Sequence, residues 1–143
     1  MSTADTLIKQ LDLAPHPEGG WYRQTWIADA ENGERAAGTC IYFLLKSGES
    51  SRWHRVDAVE IWHYYAGAPL ILSMAQTASG PAQDFSLGPD LINGQAPQLI
   101  VPTQHWQAAR STGDYTLVGC TVSPGFRFEG FEMMEPGAEI PYK

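Results

Sequence analysis

His54 and Glu60 are the side chains of this chain best placed by type and spacing to do chemistry. They lie in the run Gly48 to Gly67, G-E-S-S-R-W-H-R-V-D-A-V-E-I-W-H-Y-Y-A-G. An imidazole beside a carboxylate in an apolar setting makes a general base. The carboxylate raises the basicity of the ring by taking the hydrogen bond of its second nitrogen. The same two side chains are also ligand types for a divalent metal. A satisfied buried polar pair is the plain alternative. A second polar cluster is His16-Pro17-Glu18-Gly19-Gly20-Trp21-Tyr22-Arg23. Its paired glycines permit backbone angles that other residues resist. The cluster is either a turn into a strand or a cavity rim, where Glu18 and Arg23 meet a ligand and the guanidinium grips a carboxylate or phosphate. Nothing in the chain resembles a phosphate-cradling glycine loop, a nucleophilic Ser or Cys constellation, or a Cys-x2-Cys zinc site.

The elements that must position these residues are mostly strands. Leu7, Ile8 and Leu11 share one face of a short helix expected over about 3–13, capped by Ser2 or Thr3 and ended by Pro15 and Pro17. Beyond it the hydrophobic period changes. Short strand-like runs cover Trp21 to Trp26, Thr39 to Leu45, Val59 to Tyr65, Leu70 to Ala75, Leu99 to Val101, Thr116 to Val122 and Phe126 to Met133. Gly and Pro punctuate them, as in an all-β sandwich or barrel. Thr39 to Leu45 is almost continuously apolar, as for a strand covered on both faces. Gln76 to Gln98 reads as the most loop-like segment. The expectation is one domain over 1–143, with its barrel over about 20–133.

The chain has 143 residues and a net charge of −7. An acidic chain gains nothing from the attraction that drives nucleic-acid binding, so no nucleic-acid partner is expected. No apolar run approaches the roughly 20 residues of a membrane helix, and the N-terminal residues do not read as a signal peptide. Cys40 and Cys120 each sit in an apolar run, as buried reduced thiols do. A cytoplasmic location is expected.

The spacing of the central run resembles the first motif of the cupins, G-x5-H-x-H-x3-E-x6-G. Gly48, His54, Glu60 and Gly67 occupy its places, and Val56 stands where the second histidine would be. The strings H-P-E-G-G-W-Y-R, I-Y-F-L-L, W-H-R-V-D, E-I-W-H-Y-Y-A-G and P-G-F-R-F-E-G-F-E extend the likeness to one branch of that superfamily. It is a family of uncharacterised function labelled predicted cupin-type sugar epimerase. The second cupin motif is degraded: Pro102 fits, whereas Gln107 falls at the histidine ligand and Ser111 at the asparagine.

The resemblance implies a double-stranded β-helix, the cupin jelly-roll barrel, with His54 and Glu60 facing its cavity. Strand alternation then turns Trp62 and Tyr64 inward and His63 outward. A metal, if any, would be held by His54, Glu60 and Gln107. With Val56 in the frame and an amide for an imidazole, no cofactor is expected beyond a weak divalent ion. Without metal, His54 is the expected base, oriented by Glu60. Tyr64 or Tyr22 is the acid, as in the jelly-roll nucleotide-sugar epimerases. Trp62 and Gln107 join Glu18, Tyr22 and Arg23 in binding a sugar-like ligand. Three classes stay open: a metal-independent isomerase or epimerase, a metal-dependent enzyme, and a non-catalytic ligand-binding protein. A homodimer is expected, because Trp21, Trp26, Phe126, Phe128 and Phe131 exceed the need of one small core. The terminal segments are its expected contact surface.

Overall fold

The computed structural model describes residues 2–143. Helix α1 (Thr3–Gln10) is capped by Ser2, whose hydroxyl accepts the N–H of Asp5 at 3.1 Å. Asp5 in its first turn and Lys9 in its last complement the helix dipole. The helix is shorter than the expected span to residue 13, and Asp12 just beyond it takes a left-handed φ of 55°. No helix among the described residues is long and apolar enough to cross a membrane.

The strands are β1 (Ala14–Pro15), β2 (Trp21–Ile27), β3 (Thr39–Lys46), β4 (Ser50–Val56), β5 (Val59–Gly67), β6 (Leu70–Ala75), β7 (Gln83–Leu87), β8 (Gln98–Val101), β9 (Trp106–Ser111), β10 (Tyr115–Ser123) and β11 (Phe131–Met133). They form two antiparallel sheets, ordered β1-β2-β3-β10-β5-β8 and β11-β4-β9-β6-β7. This is the expected all-β jelly roll with one short N-terminal helix.

Burial follows the pleat. Phe43 and Leu45 of β3 join Trp62, Leu70, Leu72 and Val118 in the core between the sheets. Leu44, on the opposite face of β3, packs with Ala4, Leu13 and Leu117 beneath α1. β3 is therefore covered on both faces, which is why its sequence shows no alternation. In β4 the register shifts between Ser51 and His54. Trp53 falls outside with Trp106 and Ile140, while His54 and Val56 face the cavity between the sheets.

Three expectations need correcting. Gln76 to Gln98 contains the strand β7, which pairs with β6 from Gln83 to Leu87. Only Phe131–Met133 of the C-terminal run is a strand, preceded by a 3-10 turn at Phe128–Gly130. The helical turn spaces the three phenylalanines around a rim instead of along an edge. Cys120 is buried and Cys40 only half-buried, and both are free thiols.

Candidate functional site

One end of the space between the sheets is filled by the apolar core. The other opens as a cavity of about 180 Å³. β4 supplies His54 and Val56 to its wall, β5 supplies Glu60, and β10 supplies Cys120. Alternation accounts for this on β5, where Glu60 and Trp62 are buried while Val59 is exposed.

Glu18 arrives from the turn between β1 and β2. The N–H of His16 donates to the carbonyl of Gly20 at 2.9 Å, and that of Gly19 to the carbonyl of His16 at 3.0 Å. Gly19 and Gly20 have φ of +107° and +78°. A Cβ on Gly19 would run into the carbonyl oxygen of Ser50. The glycine thus lets the turn lie flat on the start of β4, where the N–H of Arg52 donates to the carbonyl of Glu18 at 2.8 Å. The side chain of Glu18 points inward and is only 5% exposed.

There it meets His54. Nε2 of His54 lies 2.9 Å from Oε2 of Glu18, and Nδ1 lies 2.7 Å from the carbonyl oxygen of Arg52. A carbonyl can only accept, so Nδ1 carries a proton. Nε2 faces a carboxylate and carries the second, so the ring is an imidazolium. Burial opposes that charge, but the charge and hydrogen bond of Glu18, helped by Glu60, push the imidazole up to about 9. Burial likewise works against the carboxylate of Glu18, yet the charge and hydrogen bond of His54 hold it below the usual range.

Glu60 is in a different state. Its Oε1 accepts from Nε2 of Gln107 at 2.9 Å, and Oε1 of Gln107 accepts from the indole N–H of Trp62 at 2.8 Å. The indole can only donate, which fixes the orientation of the amide. Burial pushes Glu60 up to about 7, with the charge of Glu18 adding to it against the pull of His54 and Gln107. Burial also raises the thiol of Cys120, beside Glu60, well above its ordinary value, so it stays neutral. His16 completes the inner wall. Its Nδ1 accepts the N–H of Glu18 at 3.1 Å, and burial keeps the ring neutral by lowering its pKa.

His54, Glu60, Glu18 and Tyr22 all border the cavity, as does Val56. Trp62 and Gln107 do not border it; they are buried behind Glu60 and hold it in place. Tyr64 is directed elsewhere: its hydroxyl donates to the carbonyl of Gly67 at 2.6 Å. Of the two tyrosines expected there, Tyr22 is the one that borders the cavity. Arg23 is exposed and lies over the ring of Tyr42 at 5.6 Å, because it follows Tyr22 on the opposite face of β2. The partner of the second nitrogen of His54 is Glu18 and not Glu60.

His16 and Cys120 were not foreseen as site residues. His16 sits two residues before Glu18 in a tight turn, and that proximity was the available signal. The rim consists of Phe126, Phe128 and Phe131, with ring centroids 5.0, 5.7 and 6.0 Å apart.

The expected metal ligands do not fit a metal. The hydrogen bonds of His54 use both its nitrogens, Gln107 is tied to Trp62 and Glu60, and Val56 offers no donor. Among the described residues no three His, Cys, Asp or Glu side chains are grouped to hold an ion.

Residues 5–134 match the family described as Cupin superfamily (DUF985). A protein from Shewanella oneidensis of known crystal structure is 40% identical, with a TM-score of 0.87 over 94% of this chain and 86% of that one. A hypothetical protein from Leishmania major is 32% identical, with a TM-score of 0.83 over 96% of this chain and 90% of that one. Oxalate decarboxylase from Bacillus subtilis is 12% identical, with a TM-score of 0.65 over 87% of this chain and 30% of that one. That last likeness is one of fold alone. No curated protein matches the chain.

Proposed function

We propose, from the premise that this chain belongs to the cupin family described as Cupin superfamily (DUF985), that it binds a small molecule in this cavity and moves a proton on it without a metal. That is the chemistry of an isomerase or epimerase, and the substrate class proposed is sugar-like. The observation that carries the reading is the different setting of two neighbouring groups: His54 is held at both nitrogens by Glu18 and the Arg52 carbonyl, whereas Glu60 borders the cavity with the amide of Gln107 on Oε1, and burial raises its pKa. A carboxylate raised in this way beside a fixed charge is suited to act as a base. In the resting site His54 is already protonated and both its N–H groups are held, by Glu18 and by the carbonyl of Arg52, so it fixes a positive charge beside Glu60, which enters as the base. Glu60 takes a proton from substrate carbon, and Tyr22 returns one to the opposite face or the neighbouring oxygen. The two exchange roles in the return direction.

The cavity of about 180 Å³ suits one small ring. Incubation with a panel of sugars in deuterium oxide tests the reading. Deuterium should enter a carbon position of one of them, and His54→Ala and Glu60→Gln should each abolish this. Unchanged incorporation in either variant would sink the role given to that residue. Metal removal should leave incorporation intact, and stoichiometric iron, manganese or zinc in the purified protein would argue for the metal-dependent class instead.

We also infer a homodimer. β2 pairs with β1 only at Trp21 and Tyr22, leaving one edge unpaired onward to Ile27. Trp26 and Ile27 on that stretch are 54% and 57% exposed. A strand with a free edge and exposed apolar side chains favours pairing with a second copy. Light scattering should give about twice 15.7 kDa, and a mass near 15.7 kDa would refute the dimer. The two free thiols favour a reducing, cytoplasmic setting.

A further inference from the structure

The charges and donors of the cavity do not balance, and the imbalance selects a ligand. Glu18 and Glu60 both border it, and among the described residues no Lys or Arg does. The cation among those lining residues, His54, directs one N–H to Glu18 and the other to the carbonyl of Arg52. It has no N–H left for an anionic ligand. Glu18 is neutralised by that ion pair. Glu60 is not: Gln107 satisfies Oε1 with a neutral donor, and Cys120 beside it is a neutral thiol. His16 faces the group as a neutral ring. An ionised Glu60 is therefore the second carboxylate beside a single cation that is already paired with Glu18, which leaves one net negative charge that an incoming positive charge relieves.

The entrance adds a second, independent feature. Phe126, Phe128 and Phe131 meet edge-to-face around the mouth, and Tyr22 packs against His16 just inside with centroids 4.4 Å apart. Aromatic faces attract a cation through the negative charge above the ring. Carboxylate within and aromatic walls without make a site for a positively charged alkylamine.

We propose that the ligand of this cavity carries a small organic ammonium group, seated between Glu60 and the phenylalanine rim, and that anions are rejected. This deepens the proposed function only in so far as it rests on the cavity being the ligand site; it does not depend on proton transfer.

Isosteres of one shape and three charges test it by calorimetry at neutral pH: choline, 3,3-dimethylbutan-1-ol and 3,3-dimethylbutanoate. Choline should bind at least about tenfold tighter than the alcohol, and the carboxylate weakest. Glu60→Gln should remove most of the preference for choline over the alcohol. Phe131→Leu should weaken choline more than the alcohol, which keeps the test open if Glu60→Gln folds poorly. The proposal is overturned if the alcohol or carboxylate binds as tightly as choline, if the preference survives both substitutions, or if none of the three binds. In each case deuterium incorporation into a sugar would still uphold the proton-transfer reading, so the two can fail separately.

Discussion

Glu18 holds His54 across 2.9 Å, from a turn that contributes no other hydrogen bond to the imidazole. The pair converts a motif histidine into a fixed cation. It leaves Glu60, the glutamate of the same motif, as the group that titrates near 7. The behaviour of the site with pH follows from this division.

Stability should be greatest near pH 4.5–5 and fall steadily toward pH 9. Glu60 ionises at about 4.5 in the unfolded chain and about 7 in the folded one, so stability is lost as pH rises through that interval. His54 loses its proton at about 6.5 unfolded and about 9 folded, so its contribution is complete below 6.5 and gone above 9. Each represents on the order of 3 kcal/mol. Glu18, held below its ordinary 4.5, contributes above that value and loses its contribution as pH falls below it. Urea midpoints from pH 4 to 9.5 check the slope; a maximum above pH 7 would contradict it.

Glu60→Gln should stabilise the protein at pH 8.5 by about 1–3 kcal/mol, because an amide carries no charge to bury and can still accept from Gln107. At pH 4.5 the gain should shrink toward zero, since Glu60 is then protonated in the folded wild-type protein and carries no charge to bury. Equal gains at both pH values would show that the charge is not the cause.

Any proton-transfer activity should follow a bell-shaped pH profile, rising through about 7 as Glu60 ionises and falling through about 9 as His54 deprotonates. Glu18→Gln should move the alkaline limb to lower pH. It should also reduce stability by about 3–5 kcal/mol, the usual effect of leaving a buried charge unpaired. An unmoved alkaline limb would mean that another group sets it.

Gly19→Ala should lower stability by about 1–3 kcal/mol, from strain at a φ of +107° and collision with the Ser50 carbonyl. Gly33→Ala is the control, at a φ of +80° with nothing within 4 Å of the new Cβ. It should show only the conformational penalty, about 1–2 kcal/mol. Beyond stability, Gly19→Ala alone should shift the NMR titration of His54 toward its ordinary value, because the turn carries Glu18 with it.

The sequence by itself determined the class of fold and the two motif residues of the site. Period-2 burial and glycine punctuation are local properties, and the frame from Gly48 to Gly67 places His54 and Glu60 on consecutive strands of one barrel. It also showed β3 as a strand covered on both faces, since Leu44 and Phe43 are both apolar. Which group each polar side chain meets was decided only by the tertiary structure. Glu18 reaches His54 because Gly19 and Gly20 fold the β1–β2 turn onto β4, a long-range contact that no spacing encodes. Tyr64 was expected in the cavity by alternation, but its hydroxyl found the nearby carbonyl of Gly67, and Arg23 followed the pleat outward. The protonation states came last of all. They depend on burial and on charges within a few ångströms, and those distances exist only once the two sheets and the turn have closed around the cavity.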